Sequence, residues 1–291
     1  MNKNLNEKNY LIFGSSSNIA KRYISLIGKE RDNFYGVTSK NNKVNSKYFK
    51  KIISYDDINQ YSKIKFSNIL IIASRNPSQG GTLNDFIYVN NLIINSLKSI
   101  NYSEDIKPKF TFLSSFSVYD KSSSYIDDDT IIMPSDYYGE SKILFEDSLH
   151  DLSNIYNADL LICRLPIFLY EGVSAANNNF LAKLSLAIAS KSSFKLSNPN
   201  AFLGAVFDID NLAMLDSKKI DNIKIVNCSS KPDISFNEIG NIALNLGLKR
   251  VDWHQGERPS VELCTKTMLE ILGYEPSAKQ IIKNWLPKEL R

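Results

Sequence analysis

The chain has 291 residues, a formal net charge of +4 and 43% hydrophobic residues, enough for a sizeable core in one large domain or two. The positive charge is spread without a basic block, so no nucleic-acid partner is suggested, although the mild excess suits small anionic ligands. Two histidines and three scattered cysteines (Cys163, Cys228 and Cys264) argue against a zinc site or a disulfide scaffold. No apolar run approaches the roughly 18 residues of a membrane span, and the first residues lack the apolar core of a signal peptide, so a cytoplasmic protein with no membrane partner is expected.

The first predicted strand covers residues 10–13 and runs into Gly14-Ser15-Ser16-Ser17, then a helix predicted over 18–27. A dinucleotide site needs this order, because the chain must approach a pyrophosphate closely and aim helix N-terminal amides at it. Of the three glycines of G-x-x-G-x-x-G only Gly14 is present, and Ser17 and Ala20 stand in the other two places. Ser16, Ser17, Asn18 and Ile19 therefore join Gly14 as candidate cofactor contacts; an ordinary strand, turn and helix with a serine cap is the alternative. The second strand, 34–38, ends Thr38-Ser39-Lys40 with no carboxylate to take a ribose 2′-hydroxyl. Ser39 and Lys40 suit a 2′-phosphate instead, so NADP(H) is favoured over NAD(H), unless Lys40 is only a solvated loop charge.

Further strands are predicted at 48–53, 69–73, 109–114 and 160–164, with a helix over 83–99 between the second and third of them. The spacing of Phe86, Val89, Leu92, Ile93 and Leu97 on that helix is explained by core packing or a subunit contact. A helix predicted over 138–155 opens with Tyr138 and Lys142, four apart and so on one face. A cation beside a phenol favours phenolate, which makes Tyr138 a candidate acid/base with Lys142 drawing down its pKa. Ser114-Ser115, closing the strand before it, adds a hydroxyl to the set. After Tyr170 the pattern breaks into a loop at 172–179 and shorter elements. The expected fold class is α/β, a Rossmann-type doubly wound parallel sheet over residues 1–170, with a smaller C-terminal lobe over 171–291 that returns some segments to the sheet.

In sequence order, the turn at Gly14, the serines at 114–115 and the pair Tyr138 and Lys142 resemble the extended short-chain dehydrogenase/reductase family, which includes nucleotide-sugar epimerases, dehydratases and ketoreductases. The resemblance covers nearly the whole chain. It implies catalytic roles for Ser115, Tyr138 and Lys142, an adenine contact at Asp56, a cofactor wall at Ala73-Ser74-Arg75, and Pro166 near the nicotinamide. It also implies a helix asparagine, Asn90, near Lys142, and a homodimer formed by the 83–99 and 138–155 helices. Glu257-Arg258-Pro259 resembles the family's C-terminal signature, in which the arginine holds the sugar nucleotide's diphosphate; a guanidinium forks onto phosphate oxygens, which gives Arg258 a physical reason. Asn179 closes the asparagine-rich loop where substrate contacts are expected.

The departures narrow the reading. Phe116 and Ser117 follow Ser115 where a 4,6-dehydratase carries Asp-Glu, so dehydration is disfavoured, and Gly204 stands where a base-contacting arginine is usual. The expectation is a keto-sugar reductase using NADPH; the alternative is an epimerase holding NAD tightly, and a dinucleotide-sensing protein without catalysis comes third.

Overall fold

The computed structural model describes residues 8–28, 32–39, 44, 46–102, 106–120, 125–173, 179–254 and 262–290. In chain order the strands are β1 (Asn9–Phe13), β2 (Asn33–Thr38), β3 (Lys51–Ser54), β4 (Asn68–Ile71), β5 (Lys109–Ser115), β6 (Tyr125–Ile126) and β7 (Asp159–Leu165). They continue as β8 (Ile167–Leu169), β9 (Ser193–Ser197), β10 (Val206–Asp208), β11 (Ile223–Asn227), β12 (Arg250–His254) and β13 (Glu262–Leu263). The α-helices are α1 (Asn18–Ile27), α2 (Leu83–Lys98), α3 (Tyr137–Ile155), α4 (Phe180–Ala189), α5 (Ile209–Ser217), α6 (Phe236–Asn245), α7 (Lys266–Leu272) and α8 (Ala278–Glu289).

Seven strands form one parallel sheet in the order β3-β2-β1-β4-β5-β7-β11. Parallel strands are covered on both faces, and the alternation along β1 shows how the sequence does this. Leu11 and Phe13 point into a core shared with Ile93 and Leu97 of α2 and Phe145 and Leu149 of α3. Tyr10 and Ile12 point the other way, against Ala20 and Tyr23 of α1, Leu212 of α5 and Met268 of α7. Each fully buried large side chain of this kind contributes about 1.5–3 kcal/mol. A third core, with Leu181, Leu184, Ile239 and Trp285, joins α4, α6 and α8 beyond the sheet. Strand order reverses direction between β1 and β4, which opens a crevice at the carboxyl ends of the strands.

Most predicted boundaries agree with the structure within one or two residues. The strand expected over 48–53 starts only at Lys51, because Ser46–Tyr48 is a 3-10 turn. From that turn Phe49 is buried and Tyr48 packs beside it, so the aromatic run fills the core without joining the edge of the sheet. β4 ends at Ile71, since the amides of Ile72 and Ala73 both donate to the single carbonyl of Phe13 at 3.0 and 3.1 Å, which breaks the ladder. On α2, Phe86, Ile93 and Leu97 are buried and Val89 and Leu92 half-buried, so its own core accounts for the stripe.

Candidate functional site

The site begins where α3 meets the end of β5. Asp136 caps α3, accepting from the Gly139 amide at 2.8 Å, and so fixes the first turn that carries Tyr138. Gly139 presses against the main-chain carbonyl of Ser117, where a Cβ would overlap the oxygen. Only a residue without a side chain lets the helix come this close. The approach sets the Tyr138 phenol on the same cavity wall as Ser115 of β5 and Ser74 of the loop after β4. Ser115 caps a short 3-10 turn, its hydroxyl oxygen accepting from the Ser117 amide at 3.1 Å.

Lys142 lies one turn further along α3, 3% exposed, with its Nζ donating to the Leu113 carbonyl at 2.9 Å. The same Nζ stands 4.6 Å from the Phe112 ring centroid and 5.5 Å from that of Tyr138. Burial draws the lysine down to about 7, against the opposing pull of Glu146. Burial also raises the Tyr138 phenol above its ordinary value, while the hydrogen bonds to Ser115 and Ser74 pull it back. This differs from the sequence expectation of a lowered phenol: desolvation, with the Asp136 carboxylate adding to it, outweighs the two serine hydroxyls. Asn90 of α2 reaches the same turn. Its side-chain amide donates directly to the Ser141 carbonyl at 3.0 Å, tying α2 to the turn that bears Lys142.

The cofactor turn has the form a pyrophosphate needs. Gly14 has φ +93°, and a Cβ there would lie 2.9 Å from the Ala73 amide nitrogen. Ser17 caps α1 by accepting from the Ala20 amide at 3.1 Å, leaving the amides of Asn18 and Ile19 at the positive end of the helix. Ala20 is fully buried, so a small residue serves at the third glycine position. These features fit a dinucleotide lying across the crevice.

Eight of the sequence-predicted residues line one cavity of about 680 Å³: Ser17, Ile19, Ser74, Ser115, Tyr138, Lys142, Pro166 and Asn179. Asn179 also caps α4, its side-chain oxygen accepting from the Ala182 amide at 2.9 Å. Arg75 is not among the lining residues: it donates to the Gly80 carbonyl at 3.0 Å and lies over the Phe86 ring. Asn18 borders a separate hollow with Lys21, Tyr48 and Gly172. Ser39 is exposed just past β2, and Asp56 sits in the 3-10 helix Tyr55–Tyr61 after β3. Lys40 and Arg258 lie outside the described residues. Among the described residues no group of three histidine, cysteine or acidic side chains could hold a metal ion, and no helix is long and apolar enough to cross a membrane.

Sequence reasoning missed the buried polar network behind Lys142. Arg164 donates to Glu146 at 2.7 Å (Nη2 to Oε2) and to the Tyr119 hydroxyl at 2.8 Å, and that hydroxyl donates to Asn227 Oδ1 at 2.7 Å. Ser114 donates to the other oxygen of Glu146. The spacing of Glu146, four after Lys142 on a helix, is the signal that was available.

A model of the NAD dependent epimerase/dehydratase family matches residues 10–200. Comparison with curated proteins finds none that matches. Among solved structures, UDP-glucuronic acid 4-epimerase from Bacillus cereus in complex with NAD is similar with a TM-score of 0.73 at 15% identity, over 97% of this chain and 97% of that one. UDP-glucose 4-epimerase with UDP-glucose from Thermotoga maritima gives 0.72 at 15% identity, over 96% and 98%. UDP-N-acetylglucosamine 4-epimerase from Bacillus cereus gives 0.73 at 14% identity, over 98% and 96%. At such identities the likeness shows the fold.

Proposed function

The chain belongs to the NAD-dependent epimerase/dehydratase family of enzymes, and from that premise we propose that it is a nucleotide-sugar epimerase that retains NAD and inverts a ring carbinol through its ketone. The observation that carries this reading is the convergence of Ser74, Ser115, Tyr138 and Lys142 on one cavity at the carboxyl ends of the sheet strands. UDP-linked hexoses with a carbinol at carbon 4 are the substrate class, a choice supported by the names of the similar structures.

The substrate hydroxyl sits between Ser115 and Tyr138. Tyr138 takes its proton as the carbinol is oxidised and returns one when the ketone is reduced on its opposite face. Ser115 donates a hydrogen bond to the oxygen as charge develops there. Lys142, as an ammonium, stabilises the phenolate and would hold the nicotinamide ribose. A dinucleotide would be held by the Gly14 turn with Ser16 and Ser17 and by the Asn18 and Ile19 amides, with Asp56 serving the adenine and Ala73, Ser74 and Pro166 the nicotinamide half. When bound it supplies hydride acceptance and hydride return. On the resemblance, Asn179 would contact the sugar and Arg258 would take the diphosphate.

One observation favours a second reading, an NADPH-dependent keto-sugar reductase: Thr38 and Ser39 at the end of β2 offer no carboxylate to a 2′-hydroxyl. The purified protein decides between them. Dinucleotide released by denaturation and identified as NAD, together with interconversion of UDP-glucose and UDP-galactose or their uronic acid or N-acetyl counterparts, supports the epimerase. No retained dinucleotide, with NADPH consumed by a keto-sugar, replaces it with the reductase. The same reading makes the enzyme a cytoplasmic homodimer built on α2 and α3, where Tyr88, Leu144 and Ile155 are exposed; a monomer in light scattering removes that part.

A further inference from the structure

Tyr138, Lys142 and Glu146 occupy successive turns of one face of α3, so the candidate acid/base, its lysine and a carboxylate form a row. Lys142 is 3% and Glu146 4% exposed, so both charges are largely withdrawn from water. Glu146 cannot swing away, because Arg164 forks onto both of its oxygens (2.7 and 3.3 Å) and Ser114 donates to one of them. Arg164 is pinned in turn by the Tyr119 hydroxyl, and Tyr119 by Asn227 of β11, whose amide donates to the Asp127 carbonyl at 3.3 Å. Four separate parts of the chain thus hold one carboxylate in place one turn behind the lysine. The mechanism gives it no contact with a substrate.

We propose that Glu146 is a positioning residue that keeps Lys142 an ammonium beside Tyr138, with Arg164, Ser114 and Tyr119 fixing it for that purpose. The inference deepens the epimerase reading and rests on it for its catalytic consequence. The charges count in its favour. Lys142 and Arg164 are both cations in one buried cluster, and with the carboxylate between them the cluster carries a single net positive charge. Without it, two positive charges share a dry interior and the lysine is the one that gives up its proton, since a guanidinium does not. Among the described residues the groups shown at Lys142 offer no second carboxylate: α2 presents the neutral Asn90 to its turn, β5 the Leu113 carbonyl and the Phe112 ring, and α3 itself Tyr138 and Glu146, behind which stand Ser114, Arg164 and Tyr119. The low value already imposed on Lys142 by burial, about 7, leaves little margin before the charge is lost.

The test uses the full chain with its retained dinucleotide and the pH profile of kcat/KM. In Glu146→Gln the amide keeps shape and can still accept from Arg164 and Ser114, but the alkaline limb moves to lower pH by about one unit or more. The double variant E146Q/R164M, which leaves no buried pair half broken, places the limb between the two. A limb at the wild-type pH, with only the height of the profile changed, means a structural role alone and overturns the proposal. Should the single variant not fold, the double variant is read by the same criterion. A second measurement does not depend on turnover: the Lys142 Cε resonance in ¹³C-lysine-labelled protein, assigned by its loss in Lys142→Met, is titrated in wild type and in Glu146→Gln. An unmoved midpoint overturns the proposal even if the protein is no epimerase, whereas absence of any sugar turnover with a shifted midpoint overturns only the functional reading.

Discussion

The two ends of the sheet each carry a large hollow, and they differ in how their polar groups are used. At the amino ends of the strands, Tyr10, Asn68, Lys109 and Asp159 line a cavity of about 630 Å³. There the charges answer one another: Asp216 accepts from the hydroxyls of Tyr23 and Thr111 and pairs with Lys109 at 3.0 Å, Arg22 pairs with Asp210, and Lys107 with Asp159. At the carboxyl ends, a cavity of about 680 Å³ is lined by Ser74, Ser115, Tyr138 and Lys142, with no carboxylate among the described residues that line it. Tyr23 is held protonated by burial and by the Asp216 carboxylate, which both raise it. Tyr138 is raised by burial but drawn back by two serine hydroxyls, so an arriving positive charge can tip it. Volume does not separate the two hollows. Polarity directed into empty space does.

The largest expected effect sharpens that contrast. Tyr138→Phe lowers kcat by roughly 10²–10⁴-fold, the range for removing a general acid/base, while dinucleotide stays bound; Tyr23→Phe leaves turnover per folded molecule unchanged. Steady-state kinetics on both variants checks this, and equal losses would erase the distinction between the ends. Next comes Asp216→Asn, which strips Lys109 of its counter-charge at a site only 8% exposed. It costs about 3 kcal/mol of stability, the lower end for breaking a buried pair, with unchanged activity of the folded fraction. Denaturant unfolding measures it, and a catalytic defect there would show that the amino end also serves the reaction.

A pH dependence follows from Lys142. Unfolded, its amine titrates near the usual ~10.4; folded, burial brings it to about 7. Between these values the unfolded chain binds a proton that the folded chain has released, so stability rises with pH across that window, by at most ~1.4 kcal/mol per unit. Below about 7 both forms are protonated and the cost of burying the charge is constant. The difference in unfolding free energy between wild type and Lys142→Met therefore grows in favour of wild type from pH 7 to 9; a flat difference would falsify the depressed value. The smallest effect is Ser17→Ala, which removes the cap of α1 and costs about 1 kcal/mol, read as a lowered melting temperature.

The sheet was legible because β1, β2, β5 and β7 are runs of apolar residues bounded by turns, and α1 begins at a recognisable serine cap, Ser17. β3 was harder: an edge strand of four residues gives a weak pattern, and Tyr48 and Phe49 imitate strand residues while filling the core from a turn. Within the site, Tyr138 and Lys142 could be read because one helix spaces them. The sign of the effect on the phenol could not, since desolvation depends on Phe112, Phe86 and the other walls that folding brings up. Glu146, Arg164, Tyr119 and Asn227 come from α3, β7, the turn after β5 and β11, and no local spacing announces a group assembled from four elements.

Gly139 against the Ser117 carbonyl has a consequence for how such a site can change over time. The seat of α3 against the turn after β5 is set by one main chain resting on another, with no side chain of residue 139 between them. Residues elsewhere on the cavity wall can be exchanged without disturbing that main-chain contact. The contact works as a fixed stop, and drift in the rest of the wall leaves it in place.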